Sequence, residues 1–324
     1  VRYLVTGGAG FIGSHYVRGL LAGELAADVE RVHVLDKLTY AGNLANLADA
    51  ADDPRYSFVH GDICDGELLD GVIPGHDVVV NFAAETHVDR SIHGPQDFVL
   101  TNVVGTQTVL DACLRHSIPR VVHIGTDEVY GSIDVGSWTE DSPLLPNSPY
   151  AASKASAELL ARAYHRTYGL PVSTTRCSNN YGPYQFPEKV IPLFVTNLID
   201  GANVPLYGDG LNVRDWLHVD DHCRGIQIVV ERGEAGAAYN IGGGEELTNR
   251  ELTEVILRHM GREWDSAVQQ VPDRLGHDRR YSLDDSRIRA LGYAPTRTFD
   301  QGIAETVRWY VDNPDWWRPL KTSA

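Results

Sequence analysis

At 324 residues and 35.7 kDa, the chain is too long for one small module and suits one large domain or two unequal ones. Hydrophobic residues make up 43% and charged residues 22%, which supplies a sizeable core and argues against wholesale disorder. The 28 basic and 44 acidic residues leave a net charge of −16 with no basic block, so binding to a nucleic-acid backbone is not expected, and no apolar run approaches the ~18 residues of a membrane span.

The N-terminus reads as a strand, Tyr3-Leu4-Val5, followed at once by glycines, so no secretory signal is expected. Strands are then predicted at Tyr3–Thr6, Val32–Asp36, Tyr56–His60, Val78–Phe82, Val121–Thr126 and Val172–Arg176. Between several of them lie amphipathic stretches of helical period, for example Val99, Val103, Val104, Val109, Leu110 and Leu114. Valine-rich strands alternating with helices predict a doubly wound α/β fold with a parallel sheet covered on both faces. Residues 177–217, rich in Asn, Gly and Pro, read as loops around one helix near Leu193–Leu198. A helix at Val219–Val230 and a strand at Ala238–Ile241 suit the first domain, and helices follow near Asn249–His259 and Ile303–Asp312. The expected division is 1–176 plus 218–246 for the first domain, and 177–217 plus 247–324 for a second, smaller α/β domain. Trp309, Trp316 and Trp317 suggest a C-terminal anchor against the core.

Thr6-Gly7-Gly8-Ala9-Gly10-Phe11-Ile12-Gly13 stands between the first strand and the first helix. Gly7 and Gly10 let the backbone approach a pyrophosphate, Gly13 lets helix and sheet pack closely, and the helix N-terminus favours the phosphate charge. Asp36, ending the second strand, suits the adenosine ribose hydroxyls and repels a 2′-phosphate, so NAD is expected over NADP; Lys37 beside it weakens that preference. Asp62 and Ile63 are placed to flank the adenine or, equally, to form a turn.

Ser148-Pro149 opens a helix on which Tyr150 and Lys154 share one face, four residues apart. A lysine ammonium near a phenol favours phenolate, which can take a proton from a sugar hydroxyl as hydride leaves the same carbon. Thr126-Asp127-Glu128 follows the fifth strand, where ligands of doubly wound sheets bind. Two adjacent carboxyls are more than hydride transfer needs; an elimination needs one to remove a proton and one to protonate a leaving hydroxyl. An arbitrary Asp-Glu pair is more often a solvated turn.

Together Gly7–Gly13, Thr126-Asp127-Glu128 and Tyr150-x-x-x-Lys154 resemble the extended short-chain dehydrogenase/reductases, and within them the dTDP-glucose 4,6-dehydratases. The runs Asp36–Asn43, Ala83–Ser91, Arg176–Pro183 and Asp273–Tyr281 extend the resemblance over nearly the whole chain. It implies a Rossmann-type NAD domain, a nucleotide-sugar domain, and conversion of dTDP-glucose to dTDP-4-keto-6-deoxyglucose and water with recycled NAD. Tyr150 would be the base at the C4 hydroxyl, with Thr126 orienting its oxygen. Lys154 would bind the nicotinamide ribose, Glu128 remove the C5 proton and Asp127 protonate the C6 hydroxyl.

The resemblance also implies cofactor contacts from Phe11, Ile12, Lys37, Leu38 and Thr39, and from Phe82, Ala83, Ala84, Thr101 and Asn180. Arg214 and Arg274 would clamp the diphosphate, with His277 and Asn249 nearby. Lys189 and Val190 would lie along the nucleotide, Pro205, Leu206 and Tyr207 at the base, and Thr86 and Asn179 at the sugar. A homodimer packed through helices near 97–115 and 150–168 is the family norm. Gly125, Thr86, Val190 and Leu275 depart from the family pattern; none is a reacting group.

Neither the 13 histidines nor the four cysteines (Cys64, Cys113, Cys177, Cys223) show metal-ligand spacing, so no metal is expected, and the separated thiols suit a cytoplasmic enzyme. His87 and His123 read as packing or hydrogen-bonding residues. Two alternatives stay open: another nucleotide-sugar enzyme, such as a UDP-hexose 4-epimerase or a UDP-glucuronate decarboxylase, and a non-catalytic NAD-binding sensor.

Overall fold

The structure, a computed structural model, describes residues 1–273 and 275–321. Seven parallel strands form the main sheet: β1 (Arg2–Thr6), β2 (Arg31–Asp36), β3 (Tyr56–His60), β4 (Val78–Asn81), β5 (Arg120–Thr126), β6 (Val172–Cys177) and, completing it from far along the chain, Ala238–Ile241. In chain order three short strands precede that last one: β7 (Asn179–Tyr181), β8 (Val204–Tyr207) and β9 (Val213–His218), so it is β10. The sheet order β10-β6-β5-β4-β1-β2-β3 reverses direction between β1 and β4, and a crevice opens there beyond the carboxyl ends of the strands. Every residue of β4 is buried, as its Val-Val-Val run requires of a strand covered on both faces.

Two apolar cores cover the sheet. Helices Phe11–Leu21 and Val219–Arg232 pack on one face through Tyr16, Val17, Leu20, Ile226 and Val229. Helices Gly66–Val72, Thr106–Arg115 and Pro149–Tyr168 pack on the other through Leu69, Val109, Leu110 and Ala161. A third core joins helices Val190–Ile199, Asn249–Met260 and Phe299–Asp312, with Trp317 sealed against it. Trp309 and Trp316 stack edge-to-face at 5.0 Å, and the Trp316 indole N–H donates to Asn46 at 2.9 Å, so the C-terminal helix is anchored as expected.

Residues 177–217 are not loops around a single helix. They contain β7, β8 and β9; with β11 (Glu246–Thr248) and β12 (Val268–Val271) these form a three-stranded sheet, β11-β9-β7, and a β12-β8 pair. The strands are short, and β9 carries buried Arg214, Asp215 and His218 in place of alternating apolar residues, so periodicity could not mark them.

One buried ion pair ties the sheet to the helix that packs on it. Arg176 on β6 grips the Glu158 carboxylate on helix Pro149–Tyr168, its Nε at 3.0 and 2.9 Å from the two oxygens, and also donates to the Tyr130 hydroxyl and to the Glu140 carbonyl. Tyr130 in turn donates to Asn240 on β10 at 2.8 Å. Both charged side chains are more than nine-tenths buried. Removing one partner strands the other in a dry interior, so Arg176→Met is expected to lower unfolding free energy by about 3 to 5 kcal/mol. Urea denaturation checks this, and Arg176→Met with Glu158→Met is expected to recover most of the loss.

Candidate active site

The turn after β1 needs its glycines. Gly7 has φ +67°, and a Cβ there would lie 2.6 Å from the Ala83 amide nitrogen; one on Gly13 would lie 2.3 Å from the Gly7 carbonyl oxygen. Helix Phe11–Leu21 begins at Gly10 with no side-chain cap and no acidic residue in its first turn, which leaves its N-terminal N–H groups for an anion. Asp36, buried at the end of β2, accepts from the Ala9 N–H at 2.9 Å and the Leu38 N–H at 2.8 Å, and still has lone pairs facing the cleft. Lys37 forms an ion pair with Asp62 at 2.7 Å, so its charge is spoken for and the bias of Asp36 against a 2′-phosphate stands.

These residues line one cavity of about 310 Å³. It includes Gly7, Gly10, Phe11, Ile12 and Gly13 from the turn; Asp36, Lys37, Thr39, Asp62 and Ile63 around the carboxylate; and Phe82, Ala83, Ala84, Thr101 and Asn180 farther in. Leu38 is the exception. It packs against the core beneath, and its contribution is the amide that holds Asp36. The shape, the uncapped helix end and the carboxylate fit a dinucleotide.

The far end of the same cavity holds Thr126, Asp127, Glu128, Tyr150 and Lys154. Ser148 caps helix Pro149–Tyr168, its hydroxyl accepting from the Ala151 N–H at 3.0 Å, and Pro149 takes the first helical position. The helix therefore starts where it does, and Tyr150 and Lys154 face the cleft. Thr126 ends β5 and accepts from the Glu128 N–H at 3.3 Å, which turns the chain so that both carboxyls point inward.

The two carboxyls are not equivalent. Asp127 is 2% exposed, while Glu128 is half-buried. Burial, then the Glu128 charge, holds the Asp127 carboxyl well above the usual carboxylate range, against the pull of Arg214 and a Thr126 hydrogen bond. One Asp127 oxygen, Oδ2, is buried with no hydrogen-bond partner. A neutral carboxylic acid with a spare buried oxygen is equipped to give up a proton.

In the free protein the Lys154 ammonium is turned to the backbone and not to the Tyr150 phenol. It donates to the Ile124 carbonyl at 2.6 Å, and burial pulls its pKa down to about 8. Burial and the Glu128 charge push Tyr150 well above an ordinary phenol, opposed by a hydrogen bond with Thr126. In the free protein Tyr150 is a neutral phenol, because desolvation outweighs a lysine occupied elsewhere.

Thr86, Asn179 and Lys189 also line this cavity. Val190, Pro205, Leu206, Tyr207, Arg214, Asn249 and His277 do not; Pro205, Leu206 and Tyr207 lie on β8 and Arg214 on β9, while Val190 and Asn249 open helices Val190–Ile199 and Asn249–Met260. Arg214 lies over the Tyr281 ring at 4.3 Å and donates to the Asp278 carbonyl at 2.9 Å. Tyr207 and His277 meet edge-to-face at 6.4 Å, and His277 pairs with Asp273 at 2.6 Å. Arg274 lies outside the described residues. Tyr281 connects the two groups, since both Glu128 and Arg214 act on its phenol.

Sequence reasoning missed Asn102. It sits in a wide π-type turn, Val99–Gly105, accepts from the Glu85 N–H at 2.8 Å and donates to the Ser153 hydroxyl at 2.8 Å, joining a cleft wall to the catalytic helix. Its apolar neighbours show only a helical period. His123 is buried against Asn81 at 3.3 Å and His87 caps a short helix, both structural as expected. Among the described residues no group of three or more His, Cys, Asp or Glu could hold a metal.

A family model described as GDP-mannose 4,6 dehydratase matches residues 4–306. The chain belongs to this family. A dTDP-glucose 4,6-dehydratase of Actinoplanes sp. is 61% identical over 98% of this chain and 100% of its own length. One from Streptomyces niveus is 60% identical over 99% of this chain and 96% of its own. The crystal structure of DesIV, the dTDP-glucose 4,6-dehydratase of Streptomyces venezuelae with NAD and dTDP bound, superposes with a TM-score of 0.97 at 63% identity, covering 99% of this chain and 100% of that one. In this dehydratase family member, Gly125 stands where a side chain would meet the Thr175 carbonyl oxygen at 2.5 Å, so β5 and β6 approach closely just below the carboxyl pair.

The raised pKa of Asp127 has a sign that can be measured. The folded protein holds this proton more tightly than the unfolded chain, so the group's contribution to stability declines as pH rises from the ordinary value of 3.8 towards the raised one. Asp127→Asn is expected to raise the melting temperature, and by more at alkaline than at acid pH. A gain independent of pH in thermal scans would contradict this.

Proposed function

We infer that the protein is a dTDP-glucose 4,6-dehydratase that uses NAD and converts dTDP-glucose to dTDP-4-keto-6-deoxyglucose and water. The observation that carries this reading is the unequal carboxyl pair at the end of β5, one dry and neutral, one half-exposed, beside Tyr150. Whole-chain likeness to named dehydratases supports it.

When bound, NAD supplies the acceptor for the C4 hydride, the donor for its return at C6, and a positive charge in a pocket whose phenol is otherwise held neutral. Gly7, Gly10 and Gly13 hold its phosphates at the helix N-terminus, Asp36 its adenosine ribose and Lys154 its nicotinamide ribose. Tyr150 takes the C4 hydroxyl proton while Thr126 fixes that oxygen. A ketone at C4 makes the C5 proton acidic. Glu128, the more exposed carboxyl, removes it. Asp127 delivers its proton to the C6 hydroxyl, which leaves as water, and Glu128 returns a proton to C5. An epimerase, which only turns the sugar over at C4, has no use for a neutral Asp127.

Arg214, Arg274, His277, Asn249, Val190, Lys189, Pro205, Leu206 and Tyr207 hold the nucleotide end, and Thr86 and Asn179 the sugar. The NAD-binding unit comprises 1–176 plus 218–246, the remainder the nucleotide-sugar unit. The chain pairs as a homodimer, which exposed Val99, Leu100, Val104 and Leu159 on the two expected segments support. Four free thiols support a cytoplasmic site. Among the described residues no helix is long and apolar enough to cross a membrane.

Incubation with dTDP-glucose is expected to yield a product with the alkaline absorbance of a 4-keto-6-deoxy sugar. Asp127→Asn with Glu128→Gln is expected to retain dTDP-glucose in equilibrium binding and to lose dehydration. Full turnover by that double variant, or interconversion of glucose and galactose nucleotides by the unsubstituted protein, would overturn the assignment.

A further inference from the structure

Tyr40 and Arg90 lie in two of the runs that carry the family resemblance, yet no step above uses them. They meet at one carboxylate. The Tyr40 hydroxyl donates to Glu188 at 2.9 Å, Arg90 reaches the same carboxylate at 3.4 Å and His87 lies 3.5 Å from it. The Arg90 guanidinium also stacks over the Tyr40 ring, 3.8 Å from its centre. The Glu188 side chain is 9% exposed and its bond from Tyr40 is part-buried, while Arg90 reaches it from the solvent side.

The position of the cluster gives it a use. Tyr40 is flanked by Thr39 and Ala41, Arg90 follows Glu85 and Thr86, and Glu188 is itself part of the wall; all of these neighbours line the cofactor cavity. The three segments come from distant parts of the chain and are joined here across the cleft. Each is fastened elsewhere as well. The Asn43 N–H donates to Ala9 in the glycine turn at 3.0 Å, Asn102 holds Glu85, and the Lys189 ammonium donates to the Thr86 carbonyl at 3.2 Å. Separating these walls means breaking the Glu188 contacts together with the Lys189 bond.

We propose that Tyr40, Arg90 and Glu188 form a latch that keeps NAD in its cleft through the turnover. The proposal rests on the dehydratase reading, in which the hydride taken from C4 must return to the same sugar; a cofactor that leaves in between takes the hydride with it. The three are positioning residues, acting on the cofactor by holding the walls together.

The test is the rate at which bound NAD exchanges with labelled NAD in solution, for the unsubstituted holoenzyme, Tyr40→Phe and Arg90→Met. Each variant is expected to exchange about tenfold faster or more, the size that loss of one hydrogen bond to a charged group produces. During turnover the variants are expected to release NADH, whose hydride pyruvate and lactate dehydrogenase capture as lactate, and to form correspondingly less 4-keto-6-deoxy product. Tyr40→Phe keeps the packed ring and removes one hydroxyl, so it decides the matter if Arg90→Met fails to fold. Exchange by Tyr40→Phe at the unsubstituted rate would overturn the latch. Failure of the unsubstituted protein to make the 4-keto-6-deoxy product would instead sink the dehydratase reading, because exchange reports cofactor release alone.

Discussion

The Asp127 side chain is almost wholly buried, and a carboxyl group withdrawn from solvent resists ionisation. Glu128 is its chain neighbour and remains within reach of solvent, so the two carboxyls of the pair sit in unequal surroundings. Elimination needs that inequality. Hydride transfer alone does not, and the fold around it would serve other sugar chemistry equally well.

The rest of the architecture maintains this dry corner. Parallel β5 and β6 run together to Thr126 and Cys177, and Gly125 permits the close approach. Behind the turn, Tyr130 is hydrogen-bonded to Arg176 and Asn240, and Arg176 to Glu158, one helical turn beyond Lys154. The strand that places the carboxyls and the helix that places the phenol are thereby fixed to each other. Reacting groups held this way need little reorganisation once a sugar arrives.

Much of this is legible in the residues. The glycine spacing, Asp36 at the end of a valine-rich strand and the Ser148-Pro149 cap locate the cofactor turn and the catalytic helix, because each is a local rule of backbone geometry. Adjacent Asp127 and Glu128 suggest acid and base, but the burial of Asp127 and the opposing charges of Asp215 and Arg214 on β9, far along the chain, are not written in the pair itself. The resting state of Tyr150 escapes a reading of the sequence for a similar reason: four-residue spacing brings Lys154 to the same face, yet Ile124 claims its ammonium. Leu38 reads as a cofactor contact, and the sequence does not show that its amide also braces Asp36. The strands of the second sheet and the meeting of Tyr40, Arg90 and Glu188 come from pairings across long stretches of chain, for which a single sequence carries no periodic signal.

The dehydration chemistry depends on Asp127 holding its proton well beyond the usual carboxylate range. Infrared difference spectroscopy between the protein and its Asp127→Asn variant reads this directly. The expected result is that the carbonyl stretch of a protonated carboxylic acid is present at neutral pH and vanishes in the variant. A difference spectrum showing only the loss of carboxylate bands would mean that Asp127 is ionised, and would contradict the assignment of acid and base.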